Sequence, residues 1–304
     1  MQKSNLVDTK GNKIYMGLNK CGTSVEPISY EWELTLKDSI KIETVKTDSF
    51  SMDYFKFGHG KDTFVILPGV SLLSVMNFAD AVADAYKVLA DDYTIYVFER
   101  KNEITSSYSI DGMAENTSEA FKCLGLDKVT LMGASYGGMI AMLIAARHAE
   151  QVQSLILCST SSYVSEEQYK TFERWISIAD TGDAEKLYMD FGKVVYPSEM
   201  FEQSRGVLAD MAKGVTESDL EKFRICLESI RGFDIRDLLK NIKCPVFVVG
   251  SNDDMVFGSE GSLTLAKYMD ACPDLNIKIY NGYGHAVYDT APDLKERILK
   301  FLKG

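Results

Sequence analysis

A serine hydroxyl becomes a useful nucleophile only with a base beside it and a group that orients the base. The sequence offers a setting for each of the three. Gly133-Ala134-Ser135-Tyr136-Gly137 fits G-x-S-x-G, where small residues on either side let a strand turn sharply into a helix and lift the hydroxyl to the tip of the turn. That turn also sets the hydroxyl at the positive end of the following helix, where developing negative charge is favoured. Only 3 histidines are available. His59 lies in the turn Gly58-His59-Gly60-Lys61-Asp62, and His148 closes the helix behind the serine, where a histidine suits a helix C-terminus. His285 follows the last strand-like run, between Gly284 and Ala286, and is the candidate general base. Asp253 and Asp254 stand together after another strand-like run and offer the carboxylate.

The hydrophobic pattern shows which elements must carry these residues. Ile40 to Val45 and Phe50 to Phe57 alternate and read as two antiparallel strands. Thr63-Phe64-Val65-Ile66-Leu67 is a continuous apolar run ended by Pro68-Gly69, as in a strand buried on both faces. Helix and strand then alternate. A helix carries Val75, Phe78, Ala79, Val82, Tyr86 and Leu89, a strand runs from Tyr93 to Phe98, and a helix carries Met113 to Leu124. The serine's strand, Val129 to Met132, and its helix, Met139 to Ala149, come next, followed by a strand from Val152 to Cys158. From about Ser159 to Asp234 the periodic segments are all helical: Glu166–Ala179, Ala184–Val195, Glu199–Ala212 and Glu217–Ser229. Their many aromatics should form the core of a helical unit, with some facing a pocket. The alternation resumes with a strand at Val246 to Val249, a helix at Ser262 to Met269, a strand at Asn276 to Tyr280 and a closing helix through Leu294, Ile298 and Leu302.

Alternating units of this kind give a mostly parallel sheet with helices on both faces. Ligands bind outside the carboxyl ends of such strands. Pro68-Gly69-Val70, Glu99-Arg100, Ser135, Asp253 or Asp254, and His285 all follow strands, so serine, acid and histidine share one edge in that chain order. The expected division is an N-terminal extension of unassigned role over 1–37, an α/β core over 38–159 and 235–304, and a helical cap over 160–234.

Composition excludes several classes. A chain of 304 residues can bury a large core, and a net charge of −11 argues against a nucleic-acid partner or attraction to anionic membranes. MQKSNLVDTK lacks an apolar run, so no signal peptide is expected, and no stretch is long enough for a membrane span. The 6 cysteines are scattered, without C-x-x-C, and read as reduced cytoplasmic or buried thiols rather than a disulfide frame or zinc site. With no paired histidines and no Walker or dinucleotide-binding loop, neither metal nor cofactor is expected.

The elbow Gly133 to Gly138, the segment Ile242-Lys243-Cys244-Pro245 before the strand ending Gly250-Ser251-Asn252-Asp253, and Gly284-His285 together resemble the α/β-hydrolase fold superfamily, in its serine hydrolase branch with a helical cap. The resemblance runs from about residue 40 to the C-terminus. It implies a Ser135–Asp253–His285 triad, since relatives place the acid three residues after the glycine. It also implies an oxyanion hole from the backbone N–H groups of Tyr136 and Val70. Two segments depart from the family: Pro68-Gly69 stands for its His-Gly, and Glu99-Arg100-Lys101-Asn102-Glu103 for its glycine-rich Asp-Arg loop. The expected activity is cleavage of a small or medium carboxylic ester, a small-molecule acyl substrate, through an acyl-enzyme on Ser135. C–C bond hydrolysis and acyl transfer on the same triad, and a non-catalytic binding protein on this scaffold, are the alternatives.

Overall fold

The computed structural model describes residues 39–269 and 271–304, and the extension expected over 1–37 lies outside them. The strands are β1 (Ile42–Lys46), β2 (Ser51–Phe57), β3 (Asp62–Leu67), β4 (Tyr93–Lys101), β5 (Val129–Ala134), β6 (Val152–Cys158), β7 (Val246–Ser251) and β8 (Leu275–Tyr280). The helices are α1 (Ala79–Ala85), α2 (Ile110–Cys123), α3 (Tyr136–Arg147), α4 (Glu166–Ala179), α5 (Ala184–Val195), α6 (Ser198–Ala212), α7 (Glu217–Glu228), α8 (Gly258–Tyr268), α9 (Val287–Thr290) and α10 (Leu294–Lys303). The strands form one 8-stranded sheet in the order β1-β2-β4-β3-β5-β6-β7-β8. β2 runs antiparallel to β1 and to β4, and the other neighbours are parallel. This is the mostly parallel α/β architecture expected from the sequence.

The strand order explains where a ligand can sit. From β3 the chain moves outward to β4, then crosses back over β3 to enter β5 on its other side. Loops leaving β3 and β5 therefore diverge, and a crevice opens at their carboxyl ends. Register brings those ends level: Leu67 pairs with Gly133, Ala134 with Cys158, and Cys158 with Val249.

Period-two alternation divides the sheet's apolar residues between two cores. Val65, Leu67, Leu131, Leu155, Leu157, Val246 and Val248 pack on one face with α2, α3 and α8. Phe64, Ile66, Met132, Ala134, Ile156, Cys158, Phe247 and Val249 pack on the other with α1, α9 and α10. Helix α3 is apolar nearly all round, as its burial between sheet and neighbouring helices requires.

The helical segment between β6 and β7 consists of α4 to α7, close to the bounds read from the sequence. Ser165 and Thr216 close capping boxes that start α4 and α7, and Asp183 caps α5. An aromatic series holds the unit: Phe172 to Trp175 at 5.7 Å, Trp175 to Phe191 at 4.8 Å and Phe191 to Phe223 at 6.0 Å between ring centroids.

Two elements differ from expectation. The helix expected over 75–89 is broken into a 3-10 turn at Val75–Phe78, α1, and a second 3-10 turn at Lys87–Leu89. Tyr86 leaves helical geometry at φ −106° and ψ 11° while its side chain stays buried. Strand β4 continues past Phe98 because β2 pairs with it as far as Lys101, so Glu99 and Arg100 are strand residues rather than loop residues. No helix among the described residues is long and apolar enough to cross a membrane.

Candidate active site

Ser135 joins β5 to α3 at φ 50° and ψ −116°, a backbone conformation costing about 1–3 kcal/mol for a residue with a side chain. Hydrogen bonds overdetermine it. Its N–H donates to the Cys158 carbonyl at 2.8 Å, and its own carbonyl accepts from Gly138 N at 2.9 Å and Thr160 Oγ1 at 2.7 Å. The flanking glycines are obligatory: a Cβ on Gly137 would lie 2.1 Å from the Leu67 oxygen, and one on Gly133 would lie 2.5 Å from the Gly137 oxygen. That is the elbow expected from G-x-S-x-G.

His285 enters from the loop after β8, where Gly284 adopts φ 63° against the Val195 carbonyl and Pro197. Its Nε2 lies 2.8 Å from Ser135 Oγ and its Nδ1 lies 2.9 Å from an Asp254 carboxylate oxygen. Ser135, Asp254 and His285 are all buried. A carboxylate can only accept, so the proton of neutral His285 sits on Nδ1 and Nε2 is left to accept from the serine hydroxyl. Phe257 packs edge-on to the imidazole with centroids 5.5 Å apart and covers it.

The acid differs from the one expected. Asp253 does not reach His285: its carboxylate accepts from Gly282 N at 2.9 Å, Gly284 N at 3.0 Å and Ser251 Oγ at 2.5 Å. Burial alone would raise the Asp253 carboxyl, but these hydrogen bonds from Ser251, Gly284 and Gly282 outweigh it and hold the group below its usual range. The residue against the imidazole is Asp254, whose second oxygen accepts from Val256 N at 2.8 Å and Phe257 N at 3.1 Å. The first acid fastens the histidine loop, and the second faces the ring. The other histidines lie elsewhere, His59 within 3.5 Å of Asp91 and His148 within 2.9 Å of Glu115.

Gly69 sits against the nucleophile, since a Cβ there would lie 3.4 Å from Ser135 Cβ. Its carbonyl accepts from Arg100 Nη2 at 2.8 Å, and the Pro68 carbonyl lies 3.3 Å from the same nitrogen. In a trans peptide the N–H points opposite to the C=O, so Arg100 turns the Val70 N–H away from itself. Tyr136 is the first residue of α3, and its N–H has no carbonyl to bond within the helix. Arg100 also lies 5.3 Å from the Tyr136 ring centroid and bonds Glu99 at 2.9 Å. Glu99 in turn accepts from Ser74 Oγ at 2.8 Å and Val75 N at 3.2 Å. Burial works against ionised Glu99, but the charge and hydrogen bonds of Arg100, with Ser74, prevail and lower its pKa. The Tyr136 hydroxyl lies 2.9 Å from Met113 Sδ and 2.7 Å from Ser229 Oγ just past α7, tying the elbow to the helical insertion.

Two cavities flank the loop that follows β3. One of about 340 Å³ is lined by Glu99, Arg100, Ser74, Lys222 and Asp219. The other, of about 380 Å³, is mainly apolar and is lined by Gly69, Ala134, Tyr188, Phe191, Tyr196 and Asp289, among others. Aromatics of the insertion thus serve both as its core and as a cavity wall. The sequence placed Glu99-Arg100 at the ligand-binding edge as loop residues, without the roles they have as part of β4, and gave no sign of Asp289.

The same architecture recurs among known proteins. The family model described as alpha/beta hydrolase fold matches residues 64–292. A Rhizobium rhizogenes protein named "Putative carbamate hydrolase RutD" is 26% identical over 231 residues, covering 73% of this chain and 87% of its own length. Among solved structures, MGS-M2, an alpha/beta hydrolase enzyme from a Medee basin deep-sea metagenome library, superposes with a TM-score of 0.76 at 18% identity, over 86% of this chain and 98% of that one. The enol-lactonase from Burkholderia xenovorans LB400 gives a TM-score of 0.73 at 18% identity, over 86% of this chain and 100% of that one.

Proposed function

The chain belongs to the alpha/beta hydrolase fold family and is a hydrolase, and on that premise we propose that it cleaves a small or medium carboxylic ester through an acyl-enzyme on Ser135. The observation that carries the reading is the position of His285, bonded on one side to Ser135 Oγ at 2.8 Å and on the other to Asp254 at 2.9 Å.

In this reading Ser135 Oγ attacks the ester carbonyl as His285 Nε2 takes its proton. Asp254 keeps the imidazole in the required tautomer and stabilises its charged form. The N–H groups of Val70 and Tyr136 receive the oxyanion, and Arg100 orients the first of them by holding the Gly69 carbonyl. His285 then protonates the departing alcohol, and a water activated by the same nitrogen releases the carboxylic acid. No cofactor is required. Helices α4 to α7 act as a cap, binding the site through Ser229 and the Val195 carbonyl. The free thiols of Cys123, Cys158, Cys226, Cys244 and Cys272 fit the cytoplasm expected above.

The carbamate in the Rhizobium relative's name gives a second reading, because a carbamate presents the same kind of carbonyl to the same triad. An ester is preferred because it demands nothing beyond triad and oxyanion hole. The test is labelling with a fluorophosphonate followed by peptide mapping, then turnover of p-nitrophenyl esters beside a p-nitrophenyl carbamate. Label on Ser135, absent in Ser135→Ala, supports the reading. Asp254→Asn should lower kcat by roughly 10⁴-fold and Asp253→Asn by less than about tenfold. An unlabelled, folded protein would defeat the hydrolytic reading of this site, and faster carbamate turnover would move it to the second substrate.

A further inference from the structure

One carboxylate facing the site has no part in the reaction just described. Asp289, in the short helix α9 four residues beyond His285, lines the apolar cavity together with Tyr86, Tyr196 and Tyr288. Asp289 is an exposed residue at the cavity wall with protein packed around it. Among the described residues no group hydrogen-bonds to its carboxylate. Lys295 is the cation that acts on it. That ammonium donates to the Tyr288 carbonyl and lies 5.1 Å from the Tyr86 ring centroid, and it makes no ion pair with Asp289.

The cavity also reaches the nucleophile. Gly69 belongs to its wall, and a Cβ there would lie 3.4 Å from Ser135 Cβ and 3.5 Å from the Tyr288 hydroxyl. The wall is mainly apolar and includes Ile66, Val75, Val97 and Met132. A molecule held here needs an apolar linker and a distal group that answers a carboxylate. A second carboxylate would be repelled. An alkyl end would leave Asp289 desolvated and unanswered. A cation gains an opposite charge, with a charge-assisted hydrogen bond where it carries N–H, and finds tyrosines lining the same cavity.

We propose that this end of the cavity binds an organic ammonium group, carried on the acyl or the alcohol arm of the substrate, with Asp289 as its counter-charge. The inference deepens the ester reading by naming a substrate class, but the recognition it describes does not require catalysis. The carboxylate is available at neutral pH: burial pushes Asp289 up to about 6, partly offset by Lys295. The other titratable groups around it stay neutral there, since burial raises Tyr86, Tyr196, Tyr288 and Cys158.

Titration calorimetry of the full chain with hexylammonium chloride and with hexan-1-ol tests recognition separately from turnover. Hexylammonium should bind about tenfold more tightly at pH 7.5. The preference should shrink as pH falls through about 6 and the carboxyl takes up its proton, and Asp289→Asn should abolish it. Equal binding of the two ligands, no binding of either, or a preference that survives in Asp289→Asn or at low pH overturns the proposal. The wild-type pH series decides the matter even if the variant does not fold. Two matched ester pairs then assign the arm: p-nitrophenyl 6-aminohexanoate against p-nitrophenyl heptanoate, and choline butyrate against 3,3-dimethylbutyl butyrate. A preference for the charged member of one pair, reduced to parity in Asp289→Asn, identifies it. Turnover without preference in either pair counts against the proposal. Ammonium preference in calorimetry with no turnover of all four esters supports the binding site and overturns the ester reading instead.

Discussion

Glu99 in one of the cavities beside the β3 loop and Asp289 in the other behave in opposite ways. Glu99 meets a guanidinium at 2.9 Å, a serine hydroxyl and a backbone N–H, and its pKa falls despite burial. Asp289 meets no such partner, and its pKa rises to about 6. Desolvation by surrounding protein raises both, so the difference lies in hydrogen-bonding partners supplied by the protein itself. A satisfied acid becomes framework, and Glu99 with Arg100 holds the Pro68 and Gly69 carbonyls in place. An unsatisfied acid keeps its bonding capacity for something that arrives later.

Removing the partner on the first side should have the largest effect. Arg100→Met leaves Glu99 charged and mostly buried, and should cost about 3–5 kcal/mol in urea unfolding. It should also lower kcat by roughly 10–100-fold as the Gly69–Val70 peptide loses its anchor. Glu99→Leu combined with Arg100→Met should regain most of the stability, because no charge is left alone, but not the turnover. Recovery of both would show that the pair matters only for folding.

On the second side the sign reverses. Because folding raises the Asp289 pKa from 3.8 to about 6, the native state binds its proton more tightly than the unfolded chain does. Stability falls as pH rises from about 4 through about 6, and stays lower above that. Asp289→Asn should therefore stabilise by about 1 kcal/mol at pH 8 and by nothing below about pH 4, a figure discounted because a cavity-facing carboxylate keeps part of its hydration. Thermal unfolding across that range reads the difference, and a destabilised variant at pH 8 would mean that Asp289 is already satisfied.

Asp253 gives the smallest effect. It is well bonded like Glu99 but exposed, so Asp253→Asn should cost at most about 1 kcal/mol. Its lowered pKa contributes stability above the ordinary aspartate range that is lost as pH falls through the folded value, which acid titration of wild type and variant would reveal.

Legibility in the sequence followed the range of the interactions. Helix α5 has the bounds read from periodicity, because capping and amphipathic spacing are local signals. Ser135 and His285 were legible because small neighbours fix what their turns can do. The choice between Asp253 and Asp254 was not. It depends on which carboxylate the Gly282 and Gly284 amides capture, and those lie 29 and 31 residues along the chain. Tyr86 broke the expected helix for a similar reason, as its buried ring serves the far side of the sheet. Asp289 was invisible because Tyr86 and Tyr196 become its neighbours only through the fold.

The Ala286 N–H donates to the Val195 carbonyl at 3.1 Å, and Ala286 is 1% exposed. This single bond bears on how freely such chains can exchange parts. A helical insertion borrowed from another protein would have to present a carbonyl at the same point. Otherwise it would leave a buried amide beside His285 unbonded, at about 1–3 kcal/mol. Core and insertion are therefore not interchangeable modules here, and replacements that keep the last turn of α5 are the ones that preserve the histidine loop.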